Sequence, residues 1–371
     1  MPLYLNEDQS MLRKTARDFM AAEGAIAKQL RHWRDRNCGD GFGHALWRQF
    51  AEVGFTGILV EEADGGLGLG HVEAGIVLEE IGRNLTPSPF LITAVAAVGA
   101  LKGSPLRERW FPGILSGEAV AALAIDEGPK HRPVNITMRA ERSGNGFRLT
   151  GRKQFVVQGA SADFFIVAAQ AAEGLSLFLV EKEAKGLTVE GVRLADSSIA
   201  ARLDFRSVGV DADAVIGEIG QGEAVLSRVL DAGRVGAASE LLGVASGALT
   251  MTVDYLKQRK QFGKLIGEFQ ALQHRAAHLY SELEIARAAT LKAQQLLDEG
   301  SEDADAMVSV AKAKAGRVSA LAVQEGVQMH GGIGMTDEHD MGLYMKRDRL
   351  LNELFGDANY HADKLARMNG Y

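Results

Sequence analysis

Asn6 followed by Gln9 has the form of a capping box, and Leu12, Ala16, Phe19 and Met20 then recur on one face at helical spacing, so a first helix is predicted from about residue 6. The helical pattern returns at 45–53 and 72–81, punctuated by Gly65, Gly66, Gly68 and Gly70 and by Pro87 and Pro89. Near residue 115 the period changes. Short apolar or alternating runs at 120–125, 136–142, 147–157, 164–169, 175–180, 187–192 and 201–210 predict strands, with Ser143-Gly144-Asn145-Gly146 as a hairpin turn. Beyond 222 the chain is almost free of proline and rich in Ala, Leu, Glu and Lys, with a helical period at roughly 223–258, 268–298, 303–329 and 345–368. Gly331-Gly332-Ile333-Gly334 separates the last two of these and marks a close backbone approach. The expectation is an α+β chain: an N-terminal α-helical domain over 1–115, a compact antiparallel β domain over 116–222 and a C-terminal four-helix bundle over 223–371.

With 46% hydrophobic residues among 371, there is enough apolar material for cores in two or three domains, and the composition excludes a disordered or collagen-like chain. A net charge of -7 supplies no basic field for a phosphate backbone, so nucleic acid is not the expected partner. The lone Cys38 cannot form an internal disulfide, and MPLYLNEDQS lacks an apolar signal core, so a reducing cytoplasm is the expected location. The longest apolar run, 90–101, is too short to span a bilayer, and no membrane association is expected.

Three tempting motifs are better read plainly. The run from Gly65 to Gly70 does not fit G-x-G-x-x-G and lacks a surrounding βαβ unit, so it reads as a loop between helices. His274, His278 and Glu282 share a helical face, yet no second Glu-x-x-His signature would complete a metal site, and no metal is expected. No G-x-S-x-G elbow supports a nucleophilic serine. Two clusters hold more chemistry. Arg259-Lys260-Gln261-Phe262-Gly263-Lys264, followed by Phe269-Gln270, puts cations and aromatics at a helix–helix junction. Gln328-Met329-His330-Gly331-Gly332 offers bare backbone amides to a phosphate or a flat ring.

These clusters, in this order and in a helical, β, helical layout, resemble the acyl-CoA dehydrogenase family along the whole chain. The segments WRQFAEVGFTGILVEEADGGLGLG, RKQFGKLIGEFQ and QMHGGIGMTDE carry the likeness. The resemblance implies FAD held between the β domain, the bundle and a neighbouring subunit, and α,β-desaturation of an acyl-CoA thioester. In that reaction a carboxylate removes the α proton and the β hydrogen leaves as hydride to the flavin, which an electron-transfer flavoprotein reoxidises. It further implies that Arg259, Lys260, Gln261, Phe269, Gln270, Gln328, Gly331 and Gly332 reach the FAD of the adjacent subunit, and that Arg234 lies near the CoA thioester.

The positions implied for the flavin ring in the same chain are altered. Ile125 stands where the family has a hydroxyl residue, and Phe155-Val156-Val157 replaces a Trp-Ile-Thr motif, so a second hydroxyl is lost while the backbone amides remain. The family base just before the last helix maps to Phe355 or Gly356, and its alternative on the first bundle helix maps to Gly233; none of these accepts a proton. Asp357 and Glu240 are the nearby carboxylates that could substitute. Each has a plainer reading, Asp357 as a helix-start carboxylate and Glu240 as a buried ion pair or hydrogen-bond partner.

The leading expectation is therefore an FAD-dependent acyl-CoA dehydrogenase, assembled as a homo-oligomer (dimer or tetramer) or as a heterotetramer with a larger related subunit. Because the altered positions resemble the small subunits of heteromeric members, such as pimeloyl-CoA and steroid side-chain acyl-CoA dehydrogenases, an alternative is a non-catalytic or half-site subunit. That chain would lend FAD contacts to a larger related partner in a heterotetramer. A third reading is a flavin oxidase or monooxygenase on the same fold.

Overall fold

The computed structural model describes residues 3–371; Met1 and Pro2, which open the stretch read above as free of a signal core, lie outside the described residues. Helices α1 (Glu7–Ala22), α2 (His32–Asp35), α3 (His44–Glu52), α4 (His71–Asn84), α5 (Val98–Leu101) and α6 (Arg107–Leu115) precede strands β1 (Ala121–Ala124), β2 (Arg139–Ser143), β3 (Gly146–Val157), β4 (Phe164–Ala171), β5 (Gly174–Glu181), β6 (Leu187–Arg193), β7 (Ile199–Val210) and β8 (Val215–Ile216). Then come α7 (Gly222–Gln258), the short strands β9 (Lys260–Gln261) and β10 (Lys264–Leu265), and α8 (Gln270–Asp298), α9 (Ala304–His330), α10 (Met341–Glu353) and α11 (Ala358–Met368). This is an α+β fold with a helical N-terminal part, a central sheet and a C-terminal helix bundle.

Packing does not follow chain order. The chain gathers into two compact units, one of the residues up to Arg31 with His71–Thr86 and Arg234–Tyr371, the other of His32–Gly70 with Pro87–Gly233. The N-terminal helices are thus shared out, α1 and α4 going with the bundle and α3, α5 and α6 with the sheet.

In the sheet unit the strand order is β6-β7-β3-β2-β4-β5-β8. The predicted hairpin is present: Ser143 pairs with Gly146, and Gly144 supplies a φ of 60°. The expectation of an antiparallel domain is corrected at β4, which pairs in parallel with β1 from Ala121↔Phe164 to Ala124↔Val167 and with β2 at Arg139↔Gln170. Side-chain alternation is the same for both pairings, so the pattern could not distinguish them. Leu149, Phe165, Val167, Phe178, Leu203 and Phe205 form the core of this unit. The apolar run at 90–101 is absorbed here as a buried π-helical segment, Leu91–Ala97, continuing into α5. No helix among the described residues is long and apolar enough to cross a membrane.

In the bundle unit α1 opens as predicted, with Asn6 Oδ1 accepting from Gln9 N at 2.8 Å and Gln9 Oε1 accepting from Asn6 N at 3.0 Å. The fourth bundle helix expected over 345–368 is instead two, α10 and α11. Phe355 and Gly356 take φ values of 61° and 101°, outside the helical region, and Asp357 then caps a new helix by accepting from Tyr360 N at 2.8 Å. Helices α4 and α7 meet backbone to backbone: a Cβ at Gly82 would fall 2.1 Å from Glu240 O, and one at Gly243 would fall 1.9 Å from Glu79 O. Gly243→Val therefore forces these helices apart and lowers stability by about 1–3 kcal/mol in a denaturant titration. Gly99→Ala, whose added methyl meets nothing within 4 Å, is the matched control and stays within about 1 kcal/mol of the parent.

Candidate functional site

The cationic cluster forms an exposed hairpin in the bundle unit. β9 pairs antiparallel with β10 around Phe262 and Gly263, whose φ values of 53° and 81° suit the two-residue turns favoured by strand twist. Phe262 is 90% exposed, an apolar ring held in water at the tip. Arg259, Lys260, Gln261 and Gln270 are exposed, and neither Arg259 nor Lys260 has a carboxylate partner among the described residues. Lys264 Nζ sits 4.3 Å from the centre of the Phe269 ring, which fixes the base of the hairpin.

The glycine-rich cluster is drawn to the same end of the unit by stacked rings. Tyr255, whose carbonyl accepts from Arg259 N, lies 4.6 Å from His330, and His330 lies 4.6 Å from His339. Gln328 is exposed, Gly331 takes a φ of 64°, and a Cβ at Gly331 or Gly332 would meet nothing within 4 Å. His330 is buried, with Nδ1 2.7 Å from Gly326 O and Nε2 enclosed within the unit. Burial keeps this imidazole below its ordinary range and hence neutral. Cations without carboxylate partners and open glycine backbone fit a ligand with a diphosphate, as FAD has.

The other expected flavin surface lies in the sheet unit. Ile125, Val156 and Val157 are buried, and Phe155 sits in a bulge of β3 with a φ of 52°. Neither Ile125 nor Val157 has a polar side-chain atom. The Ile125 carbonyl is engaged by Lys153 Nζ at 3.0 Å, and the same ammonium meets Glu127 Oε1 at 2.8 Å. Burial alone would raise Glu127, but Lys153 and the Thr137 hydroxyl outweigh it and hold the carboxyl below its ordinary range. Asp126 is likewise taken up, by His131 Nδ1 at 3.0 Å and by Arg132 N at 3.2 Å.

The residues expected at the reacting end gather around the α10–α11 connector. Lys312 of α9 is fully buried and donates to Leu351 O at 2.9 Å, Asn352 O at 3.3 Å and Gly356 O at 3.0 Å, closing the end of α10. Arg234 of α7 points at the same place, with Nη2 donating to Tyr360 Oη at 3.2 Å and Nε reaching Phe355 O at 3.5 Å. Of the two substitute carboxylates, Asp357 caps α11 as described. Glu240 is buried and receives Arg347 through Nε at 2.8 Å and Nη2 at 2.5 Å. Among the other motifs, the 65–70 stretch is a tight loop leading into α4, and Glu282 pairs with Lys314 of α9.

Sequence reasoning missed Lys153, Lys312, His330 and Tyr360. Lys153 was the most accessible, since alternation along β3 puts a lysine on the buried face. The others acquire their partners from elements distant in sequence.

Helical, β and helical segments in this order define an FAD-binding class of oxidoreductase fold. The chain belongs to the acyl-CoA dehydrogenase family: residues 6–118, 126–208 and 220–369 match its N-terminal, middle and C-terminal domains. It is 31% identical over 372 residues to the cyclohex-1-ene-1-carbonyl-CoA dehydrogenase of Geobacter metallireducens, covering 96% of each chain. Among solved structures it resembles the Tcur3481-Tcur3483 steroid ACAD variant, with a TM-score of 0.90, 30% identity and 98% of each chain covered. It also resembles the ChsE4-ChsE5 complex from Mycobacterium tuberculosis, with a TM-score of 0.90, 26% identity and all of each chain covered.

Burial, then Arg234, pull Lys312 down to about 7, against the opposing pull of Asp357, Asp348 and Glu353. Between that value and the 10.5 of an exposed lysine, the unfolded chain binds a proton that the fold does not, so this group makes stability rise with pH. Below about 7 both states are charged and the dependence flattens. Urea midpoints compared across about pH 7 to about pH 10 should climb more steeply for the parent than for Lys312→Met.

Proposed function

We propose that this chain is a half-site subunit of a heteromeric acyl-CoA dehydrogenase, lending its cationic corner to FAD held by a larger related partner. The observation that carries this reading is a contrast within the bundle unit. Arg259 and Lys260 stand exposed without carboxylate partners, whereas Glu240 and Asp357 are committed to Arg347 and to the α11 cap. Phe355, Gly356 and Gly233 have no proton-accepting side chain. On the sheet unit, apolar Ile125 and Val157 give a flavin ring no side-chain hydrogen bond. The likeness to the ChsE4-ChsE5 complex supports the same reading.

When bound, FAD takes up the hydride of an α,β-desaturation. In this assignment Arg259 and Lys260 would neutralise its diphosphate, the Gly331–Gly332 backbone would offer amides beside it, and Gln328 would bond its ring end. Phe269 and Gln270 support the hairpin, and Phe262 loses its exposed surface against the partner chain. Proton abstraction from the acyl thioester would fall to a carboxylate of the larger subunit, with an electron-transfer flavoprotein as the redox partner.

Purified alone, the chain should be colourless, and co-expressed with a larger relative it should yield a yellow complex with one flavin for each unlike pair. Arg259→Ala in the complex should weaken flavin retention by about tenfold or more, the loss expected for a charge-assisted bond. A chain that carries a full complement of flavin alone, bleached by an acyl-CoA without oxygen, would instead be a competent dehydrogenase.

A further inference from the structure

We propose that the bundle unit carries a second ligand site, between α1, α4, α7 and α8, for an apolar carboxylic acid that bears a hydroxyl group. The site is built by this unit alone and depends on neither the flavin nor the half-site reading.

These helices leave a cavity of about 410 Å³, within the size range of small-molecule sites. Leu5, Val72, Ile76, Leu242 and Leu291 make much of its wall apolar. Leu3 and Tyr4 line it too, and they are 55% and 72% exposed, leaving apolar surface for a bound molecule to cover. The floor depends on a glycine. A Cβ at Gly75 of α4 would lie 1.8 Å from Gln294 Nε2 and 3.0 Å from Ser239 Oγ, so no other residue at 75 leaves that amide in place.

Most polar groups of the wall are already engaged. Arg287 is held by Glu79 at 2.9 Å and by Glu284, while Glu80 is held by Arg17 at 2.9 Å and by Arg83 at 3.0 Å. All three acidic wall residues are thus matched by arginine. Two groups are left over. Ser239 Oγ donates its one proton to Val235 O at 2.9 Å and accepts from Gln294 Nε2 at 2.8 Å, which fixes the orientation of the Gln294 amide. Gln294 is 5% exposed, and its Oε1 meets no donor among the described residues. A buried acceptor in that state is costly, and an O–H of a ligand would satisfy it. The second group is Arg13 of α1, an exposed cation on the wall with no carboxylate partner among the described residues. A carboxylate for Arg13, a hydroxyl for Gln294 and an apolar body for the leucine-rich wall together define the ligand class.

The test uses the full chain, titrated calorimetrically with ω-hydroxydecanoate, decanoate and decanediol, each below the concentration at which it forms micelles. The parent should bind ω-hydroxydecanoate at a single site, at least about threefold tighter than decanoate or the diol. Arg13→Gln should lower its affinity to that of the diol and leave the diol unchanged. Gln294→Leu should lower it to that of decanoate and leave decanoate unchanged, a pattern that general loosening of the unit does not produce. If the leucine variant does not fold, Gln294→Met removes the acceptor in the same way and should give the same pattern. Ala288→Phe, which fills the cavity from a half-buried position on α8, should abolish binding of all three. No saturable binding by the parent would overturn the site. So would equal affinity for the three probes, or binding that survives Ala288→Phe.

Discussion

A single buried ammonium organises the end of the bundle. Lys312 reaches three carbonyl oxygens where α10 stops, and so converts what the periodicity reads as one long helix into two helices with a sharp turn between them. That turn lets Phe355 and Gly356 leave the helical region, fixes Asp357 as a cap, and sets the start of α11 so that Tyr360 faces Arg234. A buried lysine is costly unless its donors are met, and here they are met by main-chain oxygens that the helix end would otherwise leave bare, with Asp357, Asp348 and Glu353 adding attraction.

The molecule divides its chemistry unevenly. At one end of the bundle unit, exposed cations stand beside open glycine backbone. At the α10–α11 connector, by contrast, the charged groups have already found partners. The sheet unit follows the second pattern, with Lys153, Glu127, Asp126 and His131 joined to one another and to the backbone around Ile125. Polar groups turned inward in this way rigidify a fold but leave little to offer a substrate.

Much of the architecture was legible because it rests on local chemistry. The Asn6–Gln9 box, the Gly144 turn and the long helical periods of α7, α8 and α9 each follow from residues close in sequence. The parallel pairing of β1 with β4 was not legible, since alternation carries no direction. Nor was the break at Leu354–Asp357, because its cause, Lys312, lies more than a helix away and looks like an ordinary surface lysine in a helical pattern. The exposed corner was visible as two motifs, whereas their approach depends on Tyr255 stacking on His330, a contact between helices that spacing cannot reveal. Glu240 could be narrowed only to alternatives, and its partner Arg347 stands on an element the pattern did not separate.

The geometry at Gly356 also constrains how this sequence can drift. Almost any replacement there meets both an unfavourable backbone angle and the Tyr360 ring, so no lone codon change at 356 can install an unstrained carboxylate. Recovery would require the aromatic neighbour to shrink and the turn to rebuild together, each step disadvantageous without the other. Silence at this position is therefore entrenched, an evolutionary ratchet set by one dihedral angle and one ring.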